Sequence, residues 1–230
     1  GNITAGIDLT RRMHGSQVHG MTMPLVTKAD GTKFGKTESG TIWLDADKTS
    51  PYAFYQFWLG TADADVYKFL RYFTFLDVER IAEIEKEDQQ GGRPQAQRVL
   101  AEEMTGLIHG PEGLAAAQRI TEALFSGELT SLSAEDLEQL KLDGLPTTEL
   151  VRSELEGVPL TQLLADAGLA NSGKQIKDAL GRQAVWVNSE AIGMEANMAA
   201  PSVFAAEKAM AGSFYVVRLG KKKYHLLIVR

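Results

Sequence analysis

Apolar residues recur at helical spacing through the middle of the chain, which predicts a series of amphipathic helices. The apolar positions on their inner faces are Val78, Ile81, Ile84, Val99, Met104, Leu107, Ala117, Ile120 and Leu124. Ser50-Pro51 is typical of a helix start, and the segment Ser133 to Asp136 has the order of a capping box. We therefore predict a compact helical bundle over residues 50–155.

The segment before the bundle mixes predicted helix, extended structure and loop. An opening helix carries Arg11 and Arg12 near its end and is expected to stop at Gly15. An extended segment is expected over residues 18–26. A polar loop with three glycines follows over residues 28–40, and loops of this composition are mobile.

After the bundle, the pattern predicts two short helices followed by strands. A Gly-Val-Pro turn at 157–159 marks the boundary, and the first helix covers residues 160–167. The second helix starts at Ser172. Alternating apolar residues predict strands at 185–187, 214–217 and 224–228. Residues 189–212 are rich in alanine and methionine and have no clear period, so they receive no assignment.

The composition of the 230 residues, with 44% hydrophobic and 23% charged, is that of a folded globular chain. The absence of cysteine excludes disulfides, thiolate zinc sites and cysteine nucleophiles. The four histidines are scattered, so no metal site is expected. The chain has no apolar run of membrane-spanning length and no signal-peptide pattern, and we expect a soluble cytoplasmic protein without membrane contacts.

Charge is divided unevenly along the chain. Residues 1–170 hold 15 Lys and Arg against 26 Asp and Glu, whereas residues 171–230 hold 9 against 4. A basic end on an acidic body indicates contact with a polyanion, although an ordinary solvated surface gives a similar bias. In the helix that starts at Ser172, Lys174 and Lys177 share one face, which suits an RNA-facing helix.

Two lysines, Lys33 and Lys36, stand three residues apart in the glycine-bearing loop. A phosphate loop of the Walker type is excluded, because it needs a glycine five positions before Gly35, where the chain has Asp30. The two ammonium groups can still converge on a polyphosphate. A solvated surface loop is the alternative that these residues alone leave open.

The pentapeptide Lys33 to Thr37, KFGKT, resembles the KMSKS signature of class I aminoacyl-tRNA synthetases, in the form found in bacterial tyrosyl-tRNA synthetases. Its flanks agree with that family in the segments GNITAGID at 1–8 and TSPYAFYQFW at 49–58. Residues 158–230 resemble the S4-type RNA-binding domain that closes these enzymes. In this domain Asp178 replaces a frequent cation and Ser189 replaces the usual glycine.

The resemblance implies an α+β chain with three parts. These are the end of a Rossmann-like catalytic domain over 1–48, an all-helical anticodon-binding domain over 49–156 and a small α+β S4-type domain over 157–230. In the parent enzyme, a tyrosine-tRNA ligase, the resemblance implies activation of tyrosine with magnesium ATP and transfer to tRNA(Tyr). The resemblance also implies a catalytic role for Lys33 and Lys36, because they would stabilise the departing pyrophosphate. The implied ATP-binding residues are Lys33, Phe34, Gly35, Lys36 and Thr37.

Two groups of residues are candidates for contact with tRNA. The cations expected to contact phosphates are Lys174, Lys177, Arg182, Arg218, Lys221, Lys222 and Lys223. For the cations from Arg218 to Lys223, the alternative is a C-terminal hairpin whose charges are solvated and contact no RNA. Asp63 and Asp65 are candidates for reading an unpaired guanine of the anticodon, although acids at a helix start are more often capping or dipole partners. The aromatic segment 52–58 is expected to be core rather than a stacking platform.

We expect the chain to be the C-terminal portion of such an enzyme, because the family's HIGH signature and tyrosine pocket have no counterpart in it. The parent is expected to be a homodimer, and the fragment a monomer that is inactive alone. Two alternatives stay open. The chain could be a stand-alone RNA-binding factor derived from a synthetase, or a scaffold protein built on the helical bundle.

Overall fold

A computed structural model describes residues 1–23, 25–32, 34, 36–37, 40–91, 94–220 and 223–230, with backbone only for residues 36, 37 and 40. Contacts between Cα atoms divide the chain into two compact units, Gly1–Thr41 and Ile42–Arg230. In the described ranges, no helix combines the length and the apolar character that crossing a bilayer requires.

The first unit opens with helix α1, Asn2–His14, as the sequence predicted. Gly15 ends the helix with a left-handed backbone at φ 65°, and its N–H donates to the carbonyl of Arg11. Later in this unit, β1 (Lys36–Thr37) and β2 (Gly40–Thr41) pair in antiparallel fashion.

The extended structure predicted over residues 18–26 does not form a strand in the part that the structure describes. Residues 18–23 and 25–26 lie in no strand. A strand requires a hydrogen-bonded partner, and the apolar pattern of a single segment says nothing about whether one is present.

A run of helices opens the second unit. They are α2 (Pro51–Leu59), α3 (Asp63–Phe73), α4 (Val78–Gln89), α5 (Ala96–Ser126) and α6 (Ala134–Leu142). Helix α5 is kinked at Gly110, where φ is 73° and ψ is 178°, directly before Pro111. Proline cannot continue the hydrogen-bond ladder but fits the first turn of a helix, so the helix restarts at this point.

Side-chain caps fix two of these helix starts, and both were predicted. The Ser50 hydroxyl accepts from the N–H of Ala53 (3.0 Å) and donates to Oδ2 of Asp143 (2.6 Å). At the start of α6, the Ser133 hydroxyl accepts from the N–H of Asp136 (3.2 Å), and Asp136 Oδ2 accepts from the N–H of Ser133 (2.8 Å). This reciprocal pair is a capping box.

Aromatic side chains fill the core between α2 and α3. The rings of Trp58 and Phe69 lie 6.4 Å apart at 86°, and those of Phe54 and Trp58 lie 6.1 Å apart at 73°. This edge-to-face geometry is the arrangement that aromatic rings favour. The prediction that segment 52–58 belongs to the core is confirmed for its buried residues Phe54, Tyr55 and Trp58.

A mixed sheet forms the C-terminal part, with strand order β3-β7-β6-β4-β5 among the described residues. Its strands are β3 (Thr147–Leu150), β4 (Val185–Val187), β5 (Glu190–Ile192), β6 (Phe214–Leu219) and β7 (Lys223–Val229). The helices around it are α7 (Leu160–Asp166), α8 (Gly173–Gly181) and α9 (Ala200–Val203). Strand β3 is parallel to β7, and the other neighbours are antiparallel.

The two faces of the sheet pack against different helices. On one face, Val217 shares a core with Ile176 of α8. On the other face, Val216 shares a core with Ile120 of α5. Because successive side chains of a strand point to opposite faces, β6 joins the helical bundle to the C-terminal helices.

The predicted combination of helices and sheet is confirmed at the level of a mixed α/β chain, while the boundaries after residues 48 and 156 stay predictions. The prediction of helix throughout 50–155 was wrong at Thr147–Leu150, which is strand β3. Thr147 pairs with Leu226, so the partner lies in the last residues of the chain and local periodicity cannot reveal it. Part of the unassigned segment 189–212 forms β5 and α9.

Candidate nucleic-acid interface

Helix α8 places Lys174 and Lys177 on its outer face. The Ser172 hydroxyl starts the helix by accepting from the N–H of Gln175 (3.4 Å). Ile176 is buried against the sheet, while both lysine side chains are exposed. One face of α8 is therefore core and the opposite face presents charge, as the sequence predicted.

Arg182 follows directly after α8 and connects two clefts. Its Nε donates to the carbonyl oxygen of Asp178 (3.2 Å), which ties the side chain to the end of the helix. One cleft is shared with Lys177, and the other is shared with Lys223 of strand β7. The structure thus brings Lys177, Arg182 and Lys223 to one side of the sheet. Asp178 lines the first cleft beside them.

These cations have no acidic partners among the described residues. Lys174, Lys177, Arg182 and Lys223 form no ion pair in that part of the chain. Their charge is therefore available to an external anion. A row of unpaired cations on one surface is the electrostatic footprint expected of a nucleic-acid backbone site.

Arg218 lies elsewhere, on the face of the sheet that packs against the helical bundle. Its guanidinium carbon lies 4.6 Å from the centroid of the Trp186 ring, its cross-strand partner. The same guanidinium approaches the end of α5, since a Cβ added to Gly127 would lie 3.0 Å from Nη1. The structure does not bring Arg218 together with the cations of α8.

Four of the predicted site residues lie outside the described residues. They are Lys33 and Gly35 of the lysine loop, and Lys221 and Lys222 near the C-terminal end of the sequence. Phe34 is half-buried, and its N–H donates to the carbonyl of Val26 (3.3 Å). The backbones of Lys36 and Thr37 form strand β1, paired with Thr41 and Gly40.

Asp63 and Asp65 both lie in the first turn of α3 but differ in exposure. Asp63 is exposed, and its Oδ1 accepts from Nε2 of Gln97 (2.6 Å). Asp65 is buried, and its Oδ1 lies 3.1 Å from Nζ of Lys68. Acids in the first turn also interact favourably with the helix dipole. Only Asp63 presents its carboxylate to solvent.

A family profile described as tRNA synthetases class I (W and Y) matches residues 1–126. The chain belongs to this family. A second profile, the tyrosine-tRNA ligase SYY-like C-terminal domain, matches residues 136–227. Within this class I synthetase chain, that second match contains all of the sheet except the last two residues of β7, together with α7, α8 and the cations described above.

Two bacterial relatives span nearly the whole chain. The tyrosine-tRNA ligase of Aliivibrio fischeri is 57% identical over 229 residues, covering 99% of this chain and 52% of that protein. The tyrosine-tRNA ligase of Chromobacterium violaceum is 56% identical over 228 residues, with the same shares. The synthetase chain therefore spans about half the length of these relatives.

Among solved structures, the chain is similar to a C-terminally truncated mitochondrial tyrosyl-tRNA synthetase of Aspergillus nidulans. That match has a TM-score of 0.35 and 41% identity, and it covers 37% of this chain and 25% of the other.

Ser189 has a role that the sequence analysis of this synthetase chain did not predict. Asn188 and Ser189 form the turn between β4 and β5 with left-handed backbones, at φ 46° and φ 74°. The Ser189 hydroxyl donates to the carbonyl of Gly127 (2.6 Å) and accepts from the N–H of Leu129 (2.9 Å). It thereby links the sheet to the end of α5. Turns with positive φ at both central residues usually have glycine at the second position, so an Asn-Ser pair gives only a weak sequence signal for this one.

A buried histidine lies next to the cationic surface of the synthetase chain. His225 of β7 is 4% exposed, and its Nε2 lies 2.9 Å from Oγ1 of Thr148 on β3. Burial lowers the pKa of His225, and the nearby charge of Lys223 lowers it further. The imidazole is therefore neutral near pH 7, and the positive charge of this edge resides on the lysine.

Proposed function

We propose that this chain is the tRNA-binding portion of a tyrosine-tRNA ligase. The observation that supports this most directly is the unpaired cationic surface formed by Lys174, Lys177, Arg182 and Lys223 in the residues that the structure describes. The bacterial relatives, which bear the name tyrosine-tRNA ligase, supply the identity of the RNA. Phosphate contacts of this kind give affinity and strong salt dependence rather than base specificity.

Within this proposal, the three predicted parts have separate tasks. Residues 1–48 complete a catalytic domain, residues 49–156 meet the anticodon arm, and residues 157–230 hold the tRNA by its backbone. The parent enzyme activates tyrosine with magnesium ATP and transfers it to tRNA(Tyr) in the cytoplasm. The chain spans about half the length of these relatives, and activation of tyrosine is proposed to use residues from the other half as well.

The lysine loop is proposed to act on the pyrophosphate that leaves during activation. Lys33 and Lys36 would stabilise its growing negative charge, a contribution typically worth about 3 to 4 kcal/mol per well-placed donor. Lysine suits a moving phosphate, since its flexible stem carries a compact point charge. Phe34, Gly35 and Thr37 would complete the ATP-binding loop.

Asp63 is proposed to contact a base of the anticodon. Gln97 holds its exposed carboxylate through Oδ1, and no described residue bonds to Oδ2, which can accept from an unpaired guanine. Asp65 is proposed to support this contact indirectly, because its ion pair with Lys68 stabilises the first turn of α3 that carries Asp63. The phosphate contacts of Arg218, Lys221 and Lys222 stay predictions. The experiment below tests these residues in variants separate from the variant of the α8 surface.

The test is binding of the chain to a tRNA(Tyr) transcript across a salt series. The variant K174A/K177A/K223A removes three exposed cations, and K86A on helix α4 serves as the matched control because Lys86 is an exposed lysine in the bundle. We expect the triple variant to lose at least tenfold in affinity and to lower the salt slope by about one unit for each phosphate contact.

The same series with a shortened variable arm tests what the surface recognises. A preference for the intact arm is expected, because backbone contacts discriminate by shape. The proposal fails if the triple variant and K86A bind like the unchanged chain. Separate R218A and K221A/K222A variants then assign the remaining predicted contacts.

A further inference from the structure

A cleft of 340 Å³ lies between helix α8 and the paired ends of β6 and β7, where Leu219 and Lys223 face each other. Its floor is apolar and includes Ala170, Ala179, Ala184 and Leu219. Its rim carries Arg182 and Lys223. The volume falls within the range of small-molecule sites, and an apolar floor with few polar groups at the edge is their usual construction.

Two amide side chains complete the rim. Asn171 and Gln175 line the cleft next to the start of α8. Gln175 Oε1 accepts from the backbone N–H of Asn171 (3.1 Å). This bond uses the oxygen of the Gln175 amide, so its Nε2 donors point away from Asn171. The Asn171 side chain is exposed and makes no hydrogen bond to the described residues, so its donor and its acceptor are both available.

The lining suits a nucleobase better than a second phosphate. A phosphate requires donors alone, whereas the edge of a base presents donors and acceptors together, which amide side chains can match. The flat faces of a base can also bury against the alanine floor. Sequence-specific recognition of RNA commonly uses unpaired bases in this way.

We propose that this cleft holds one unstacked nucleobase of the bound RNA. The base would contact the floor around Ala184 and bond through its edge to Asn171 and Gln175, while Arg182 and Lys223 hold the phosphates on either side. This inference rests on the proposed function, and it adds base recognition to a surface otherwise explained by backbone contacts.

The test uses the full chain and tRNA(Tyr) transcripts with 2-aminopurine at one unpaired position at a time. This base brightens when it leaves a stack, and the described lining of the cleft contains no aromatic side chain that would quench it. We expect a fluorescence rise at one position on binding. The variant A184L fills the cleft without changing charge, and A206L introduces the same side chain at an exposed alanine outside it.

A184L should abolish the fluorescence rise and weaken binding about tenfold, with the salt slope unchanged, since its phosphate contacts remain. N171A tests the edge contact and should weaken binding about fivefold, the effect of one lost hydrogen bond. Because the Asn171 side chain is exposed, N171A provides the answer even if A184L does not fold.

The outcomes separate this inference from the proposed function. No brightening at any unpaired position, together with unchanged affinity of N171A, overturns the base site while salt-dependent tRNA binding preserves the proposed function. Absence of salt-dependent binding by the unchanged chain overturns both. Equal effects of A184L and A206L on binding and fluorescence would also refute a base site in the cleft.

Discussion

Arg119 and Asp136 form a bidentate ion pair between the long helix α5 and the start of α6. Nε of Arg119 lies 2.7 Å from Oδ2 of Asp136, and Nη2 lies 2.6 Å from Oδ1. Burial opposes ionisation of this carboxyl group, but hydrogen bonds from Arg119 and from the N–H of Ser133 outweigh it, so its pKa lies below the usual value. One carboxylate thus caps α6 and fixes its position against α5.

Replacing Asp136 with asparagine should destabilise the chain by about 2 to 4 kcal/mol. Removing one partner of a buried pair usually costs more, but the Arg119 side chain is 40% exposed and water compensates part of its charge. Chemical denaturation at pH 7 measures the change. E122Q, at an exposed acid of α5 that forms no ion pair among the described residues, is the matched control and should stay within about 0.5 kcal/mol of the unchanged chain. A D136N variant as stable as E122Q would contradict this role.

Stability should fall as the pH drops below 6.5, in part through His225. The unfolded histidine takes up a proton near its ordinary pKa of 6.5, whereas the folded one resists protonation because its pKa is lowered. Within the pH window where only the unfolded chain is protonated, each pH unit costs about 1.4 kcal/mol.

The variant H225Q removes this titration and should flatten the dependence between pH 7.5 and pH 5. His109, whose pKa burial also lowers, keeps its own contribution in the variant, so the difference between the two curves isolates His225. Urea denaturation at several pH values provides the curves. Parallel curves would show that His225 does not carry the effect.

The Ser189 turn allows a graded test of the junction between sheet and bundle. S189A loses both hydroxyl hydrogen bonds and keeps the left-handed backbone at φ 74°, so we expect a loss of about 1 to 2 kcal/mol. S189G loses the same bonds but relaxes the backbone, since glycine adopts positive φ without penalty. Thermal unfolding should therefore rank the unchanged chain first, S189G second and S189A last. An S189A variant as stable as the unchanged chain would mean that the hydroxyl contributes nothing.

How much of this structure the sequence could predict depended on the range of the interaction. The starts at Ser50 and Ser133 were predictable because a cap involves residues three positions apart. Strand β3 was not, because Thr147 pairs with Leu226 and no local pattern encodes that pairing.

The candidate site shows the same contrast between features set by local sequence and features set by contacts between distant residues. The exposed face of α8 follows from helical spacing, so Lys174 and Lys177 were found correctly as a pair on one surface. The position of Arg218 depends on its register with Trp186 and on the approach of α5, neither of which the residue types around it indicate. The cleft beside Arg182 likewise exists only once α8 has packed against the paired ends of β6 and β7.

The most direct test of the central claim is hydrogen exchange of the chain with and without saturating tRNA(Tyr). If the α8 surface binds the RNA backbone, amides of residues 173–182, 219–220 and 223 should exchange more slowly in the complex, and those of β3 should not change. Protection confined to the helical bundle, with α8 exchanging as in the free chain, would contradict the account.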